Sequence, residues 1–119
     1  MTALPGQRAA ILTALRTLPS LHVHDTKPGS LGEGTTWCRW AGSAGGTSTG
    51  MPGWWLDRWF IYIVLYGDET VAESWTDQNL DTIIATLDPV GRVEVIEPVE
   101  LAVESGRPPL AIRITLTRE

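Results

Sequence analysis

The chain has little cysteine, little lysine and no long apolar run, and each of these features is required by a class of protein. Its one cysteine, Cys38, rules out an internal disulfide and with it a disulfide-stabilised secreted scaffold. Its one lysine, Lys27, and a formal net charge of −5 argue against a protein that grips nucleic-acid backbone, which needs clustered cationic side chains. Its longest apolar run, 59–66, is far shorter than the ~20 residues of a membrane-spanning helix. With no signal-peptide pattern at its start, we expect a soluble protein of a cytosol-like compartment.

The composition that is present indicates one globular domain with an unusual aromatic content. A length of 119 residues with 43 % hydrophobic residues fits a single domain over 1–119. There is one phenylalanine but six tryptophans, and five of these lie between Trp37 and Trp59. Because tryptophan is favoured at interfaces, this cluster indicates a protein that assembles with others.

Periodicity predicts the element order α-β-β-β-α-β-β. Apolar residues at helical spacing predict a first helix from Pro5 to Pro19 and a second that ends at 88–89. The second helix begins at Thr70, the start that its stripe favours, or only near Thr76. Alternating and apolar runs predict the strands 20–24, 35–41, 54–66, 92–104 and 110–117. These elements predict an α+β fold, a mainly antiparallel sheet of about five strands with both helices on one face; Pro98 indicates an edge strand or a bulge.

The strand 54–66 is predicted to be apolar on both faces. One face carries Trp59, Ile61, Ile63 and Leu65, and the other carries Phe60, Tyr62, Val64 and Tyr66. A strand of this kind is covered on both sides, yet two helices suffice for one side only. We therefore expect a neighbouring subunit to cover the second face.

The segment 42–53 is rich in glycine, serine and threonine and is flanked by tryptophans. It has too little apolar area to offset its ordering entropy, so we expect a flexible loop that a partner orders on assembly, with a plain surface linker as the alternative. The candidate interface residues are Trp37, Trp40, Gly45, Gly46, Met51, Trp54, Trp55, Phe60, Tyr62 and Tyr66.

The motifs that could carry catalysis lack their context. Gly46 to Gly50 matches G-x-S-x-G, but no helix follows it and both histidines precede Ser48. His22 and His24 have the spacing of paired zinc ligands without a third ligand at a suitable spacing, so a solvent-facing pair is favoured. Cys38 is predicted to be a small buried hydrophobe. The sequence therefore predicts no catalytic, cofactor or metal site.

The order of these features resembles a family of phage proteins. An alanine- and leucine-rich opening helix precedes tryptophan-rich strands and a glycine-rich loop. An apolar strand ending at Tyr66, a helix carrying 75–84 and a closing hairpin with Pro98 follow. This pattern is similar to that of the tail terminator proteins of long-tailed bacteriophages, particularly those of actinobacterial phages. The resemblance covers most of the chain and is one of pattern and order.

The resemblance implies a structural role in the virion and no catalytic residues. It implies a hexameric ring that caps the tail tube, stops polymerisation of the major tail tube protein and offers a docking face to the head–tail connector. DNA would pass through the lumen without sequence recognition, which suits an acidic chain. Two alternatives stay open: another connector, neck or tail-completion ring protein, and a small accessory module that binds one protein partner.

Overall fold

The structure, a computed structural model, describes residues 4–45, 55–103 and 106–118. Two helices and five strands form a single α+β domain in the predicted order. The elements are α1 (Leu4–Leu15), β1 (His22–Val23), β2 (Thr35–Gly45), β3 (Trp55–Val64), α2 (Glu69–Leu87), β4 (Arg92–Glu100) and β5 (Leu110–Arg118).

The second helix takes the longer of its two predicted lengths. It begins at Glu69, and its N-cap is Asp68, whose side chain accepts a hydrogen bond from the Val71 amide at 3.1 Å. Thr70 therefore lies inside the first turn, and Asp68, two residues earlier, is the capping residue. The helix stops where predicted, because Asp88 is the C-cap and a proline follows.

The sheet has the strand order β1-β2-β3-β5-β4. The central strand β3 pairs antiparallel with β2 and β5, and β5 pairs antiparallel with β4, which is the predicted edge strand. The short strand β1 is the exception, since it pairs parallel with the start of β2.

Both helices pack on one face of this sheet, as predicted. Here the helix stripes meet alternate residues of β2, β3 and β5 in one apolar cluster. Its fully buried aliphatic side chains include Ile11, Leu15, Ile61, Ile63, Ile83, Leu87, Ile114 and Leu116.

The strand ends differ from the predicted ones. β2 continues to Gly45, so the first four residues of the predicted loop 42–53 are strand; a bulge between Trp40 and Gly42 lets them continue the pairing with β3. These four small residues, Gly-Ser-Ala-Gly, pair through their backbones and show no alternation of large apolar side chains, which is why periodicity missed them. β3 ends at Val64 and β4 at Glu100, both earlier than predicted. The remainder of the loop, 46–53, lies outside the described residues.

A second bulge, between Val93 and Val95, overturns the predicted alternation in β4. Val93 and Ile96 pack against the helix-covered core, whereas Val95 lies on the opposite face and is 48 % exposed. Uninterrupted alternation over the predicted strand 92–104 places Val93 and Val95 on one face. That prediction is wrong, because a bulge inserts one residue and reverses the facing of every residue before it.

Candidate interaction surface

The face of the sheet away from the helices is covered over part of its area by the chain itself. Val64 and Trp37 are buried there against Leu101, together with the partly buried Leu31 and Val99. The expectation that a neighbouring subunit covers this face is therefore not met over this part of it. The covering comes from non-helical segments, which a count of helices ignores.

The rest of this face is built around Phe60. The guanidinium carbon of Arg113 lies 4.7 Å from the centre of the Phe60 ring, and that of Arg39 lies 5.5 Å from it. Both distances are within the range of cation–π attraction. Arg58 lies two residues before Phe60 on β3 and is exposed, as is Arg39. We call Arg39, Arg58, Phe60 and Arg113 the basic face.

Arg113 is the most firmly held cation of this face. Its Nε and Nη2 donate to Glu97 Oε1 at 3.0 and 2.6 Å across the β4–β5 pair. The hydrogen bond with Glu97 is the largest cause that raises the pKa of Arg113. Arg39 and Arg58, in contrast, have no ion pair with any described residue. The basic face therefore has one neutralised and two unneutralised cations.

Two of the predicted interface residues, Trp37 and Tyr62, pack on each other. Their rings stack with centroids 5.1 Å apart and planes at 15°. Trp37 is only 3 % exposed, so its side chain is buried beside Tyr62 and is not accessible to a partner. Trp40 is 44 % exposed, and its indole N–H donates to Ser43 Oγ at 3.3 Å. Of these three, Trp40 has the exposure of an interface anchor.

The structure does not place the other predicted interface residues with Phe60 and Tyr62. Tyr66 lies beyond the end of β3, so its predicted place on the Phe60 face is wrong: its hydroxyl donates to the Ser20 carbonyl at 2.7 Å and its ring packs on Trp75 of α2. Gly45, the last residue of β2, pairs through its backbone with Trp55, the first residue of β3. The remaining three, Gly46, Met51 and Trp54, lie outside the described residues.

A buried polar network joins α1 to the sheet and was not predicted. Gln7 Nε2 donates to Asp57 Oδ2 at 2.7 Å, and Trp59 Nε1 donates to Gln7 Oε1 at 2.8 Å. Ser43 Oγ donates to the other oxygen of Asp57. Both Gln7 and Asp57 are fully buried. The signal was available: Gln7 lies on the apolar stripe of α1, and Asp57 has the same strand parity as Trp59, Ile61 and Ile63.

The described side chains that could bind a metal ion or take part in catalysis do not lie together. His22 and His24 are exposed, as predicted for a solvent-facing pair. Cys38 is 2 % exposed in the main core, and burial raises the pKa of its thiol to about 11 against an opposing effect of Arg8. Within 4–45, 55–103 and 106–118, no three histidine, cysteine, aspartate or glutamate side chains are grouped to hold a metal ion. The G-x-S-x-G match lies outside these ranges.

No helix in the described part of the chain has the length and apolarity to cross a bilayer. No protein-family model and no curated protein matches this chain. The fold and its surface thus define an α+β protein with one helix-covered sheet face and one face that carries arginine and aromatic side chains.

Proposed function

We propose that this chain is the subunit of a ring that caps the tail tube of a long-tailed bacteriophage. The ring ends polymerisation of the tube protein, presents a docking face to the head connector and lets DNA pass through its lumen. The observation that carries the proposal is the basic face, where the half-buried Phe60 and Arg113 lie beside the exposed Arg39 and Arg58 and neither described helix covers them. Surfaces with this composition are typical of protein–protein contacts.

Association would remove two unfavourable features of the isolated subunit. Burial of apolar surface contributes ~25 cal/mol per Å², so covering the rings around Phe60 favours assembly. The sheet is also open at both margins, since β4 is an edge strand and β1 covers only the first residues of β2 among the described elements. Free sheet edges are sites of unwanted pairing, and closure into a ring protects them.

The charge distribution also supports a lumen that does not retain DNA. Cationic groups would hold phosphate, and the net charge of the chain is −5. The unneutralised arginines Arg39 and Arg58 lie on the basic face. In a ring through which DNA slides, this face therefore belongs between subunits and away from the lumen.

The test measures mass and tail length. Light scattering should give the purified chain a mass several times its 13.0 kDa, either alone or when tail tubes are added. Virions assembled without the protein should carry tails of uncontrolled length, and supplying the wild-type chain should restore a uniform length. Tails of normal length but without heads would point to a connector or neck protein. A chain that stays monomeric at high concentration with tubes present would contradict the ring and favour an accessory binding module.

A further inference from the structure

The second surface that the fold leaves unpartnered is a groove between α2 and the strands β4 and β5. Its volume is about 550 Å³. The large aliphatic side chains of its apolar wall are Leu65, Leu80, Ile96, Leu110 and Ile112. Along the helix it is lined by the carboxylates of Glu69, Glu73 and Asp77, all of which are exposed. We call this surface the acidic groove.

The three α2 carboxylates of the acidic groove have no cation to neutralise them within the described chain, whereas Glu97, which also lines the groove, is already paired with Arg113. They stand four residues apart on α2, a helix that contains no lysine or arginine. Like charges at this spacing repel each other and destabilise a helix. None of the ion pairs among the described residues includes a residue of α2. A cationic partner would relieve this repulsion.

We infer that the basic face of one copy docks into the acidic groove of the next copy. The two surfaces have complementary chemistry. The basic face presents Phe60 between two guanidinium groups, and the acidic groove presents an apolar wall edged by carboxylates. Their unpaired charges are also opposite in sign: among the described residues, Arg39 and Arg58 have no carboxylate partner and Glu73 and Asp77 have no cationic one. Opposite potentials across an interface favour association and fix its register. This inference rests on the proposed function and names the subunit contact.

The positions of the two surfaces dictate a head-to-tail contact. The basic face lies on the side of the sheet away from the helices, and the acidic groove lies beside α2 at the margin of β4. Because the surfaces differ, each copy offers one of each and the contact repeats from copy to copy, which is the kind of contact that the proposed ring requires. A symmetric dimer through the basic face would instead bring arginines against arginines, which like-charge repulsion disfavours.

The available surface accommodates two such contacts per subunit. A standard interface covers roughly 800 Å² on each partner. Two would cover roughly a quarter of the subunit's 6946 Å² of accessible surface.

A charge-exchange experiment tests the pairing. The basic-face variant carries Arg39→Glu and Arg58→Glu, and the groove variant carries Glu73→Lys and Asp77→Lys. All four side chains are exposed, so both variants should fold, which circular dichroism and denaturation check. Matched controls are Arg107→Glu in the loop before β5 and Asp81→Lys on α2, which are exposed positions outside both surfaces and have no ion pair with a described residue.

Each variant alone should assemble at least about tenfold less tightly than the wild type, as measured by light scattering against concentration. An equimolar mixture should recover assembly, because reversed and native contacts then alternate around an even-numbered ring. The two controls should assemble like the wild type.

Three results would overturn the inference. If the wild type forms rings and neither variant weakens them, the contact lies elsewhere and the ring function stands. If the basic-face variant alone loses assembly and the mixture does not recover it, the basic face binds something other than the acidic groove. An oligonucleotide-binding assay on the wild type and that variant shows whether this ligand is nucleic acid. If the wild type is monomeric with and without tail tubes, the contact and the proposed ring both fail.

Discussion

Gln7 shows how one polar side chain holds a helix against a sheet. It donates to buried Asp57 and accepts from the indole of Trp59. A single side-chain amide thus provides hydrogen-bond partners for two buried groups that lie 50 and 52 residues later in the sequence. Burying a carboxylate or an indole N–H without a partner is unfavourable, and the network avoids that for both. The guanidinium carbon of Arg8 adds a cation–π contact 5.1 Å from the centre of the Trp59 ring. Helix α1 is thus positioned by polar contacts as well as by its apolar stripe.

Replacement of Gln7 by alanine should lower the free energy of unfolding by about 1–3 kcal/mol, because it leaves buried hydrogen-bonding groups of Asp57 and Trp59 unsatisfied. Urea denaturation followed by tryptophan fluorescence measures the change. The matched control is Gln78→Ala, since Gln78 is an exposed glutamine on α2. Equal stabilities for the two variants would show that the network does not contribute to folding.

Cys38 should react slowly in the folded protein. Burial raises the pKa of its thiol to about 11, so only about one molecule in a thousand carries the reactive thiolate at pH 8. An aromatic disulfide reagent should label the native chain far more slowly than the urea-unfolded chain, and absorbance follows the reaction. Since the pKa is higher in the folded state, the thiol's contribution to stability should fall between pH 9.0 and about 11. Equal labelling rates in the native and unfolded chains would contradict the burial.

At the scale of elements, the junction of β1, β2 and β3 depends on one glycine. Gly34 has a φ of 80° and joins both neighbours, since its amide donates to the Val64 carbonyl and its carbonyl accepts from the His22 amide, each at 2.9 Å. A Cβ at this position would meet the Ser20 carbonyl at 2.9 Å and the Tyr66 hydroxyl more closely still. The parallel pairing of β1 therefore requires a residue without a side chain here.

Gly34→Ala should destabilise the fold by more than about 2 kcal/mol, since the left-handed backbone alone costs ~1–2 kcal/mol and the clashes add to it. Thermal or urea unfolding measures the loss. Gly29→Ala is the matched control, because a Cβ at Gly29 meets no atom within 4 Å; it should be neutral or slightly stabilising. A Gly34→Ala variant as stable as this control would show that the junction tolerates a side chain.

At the scale of the whole molecule, the two faces of the sheet pack against different kinds of side chain. Its helix-covered side is filled by aliphatic side chains, and its other side is divided between a small self-covered cluster and the basic face. The acidic groove adds uncompensated negative charge beside α2. A molecule with unlike charged surfaces in different places is suited to repeated head-to-tail contact.

Assembly should weaken as salt increases. The Debye length falls from ≈10 Å at 0.1 M to ≈3 Å at 1 M, which screens contacts between arginines and carboxylates. Sedimentation of the wild type at 0.05, 0.15 and 0.5 M sodium chloride should show a steady shift toward smaller species. Assembly that strengthens with salt would mean that apolar burial dominates the contact.

The elements themselves were predictable because they depend on short-range spacing. The apolar stripes of α1 and α2, the edge position of β4 and the α+β order follow from residues within a few positions of one another. The positions of the candidate interface side chains could not be predicted in this way. Phe60 is part of the basic face, whereas Trp37 is buried and Tyr66 packs on α2. Face assignments by parity fail where a strand ends early or a bulge intervenes.

The sequence by itself determined the class of fold, the absence of an internal disulfide and which face of each helix is buried, because composition and local periodicity carry that information. Only the tertiary structure decided the facing of Val93 and Val95, the cover over Val64 and the role of Gln7. The physical reason is distance along the chain. A bulge depends on what its partner strand allows, and Gln7 meets Asp57 across fifty residues, a contact that no local pattern encodes.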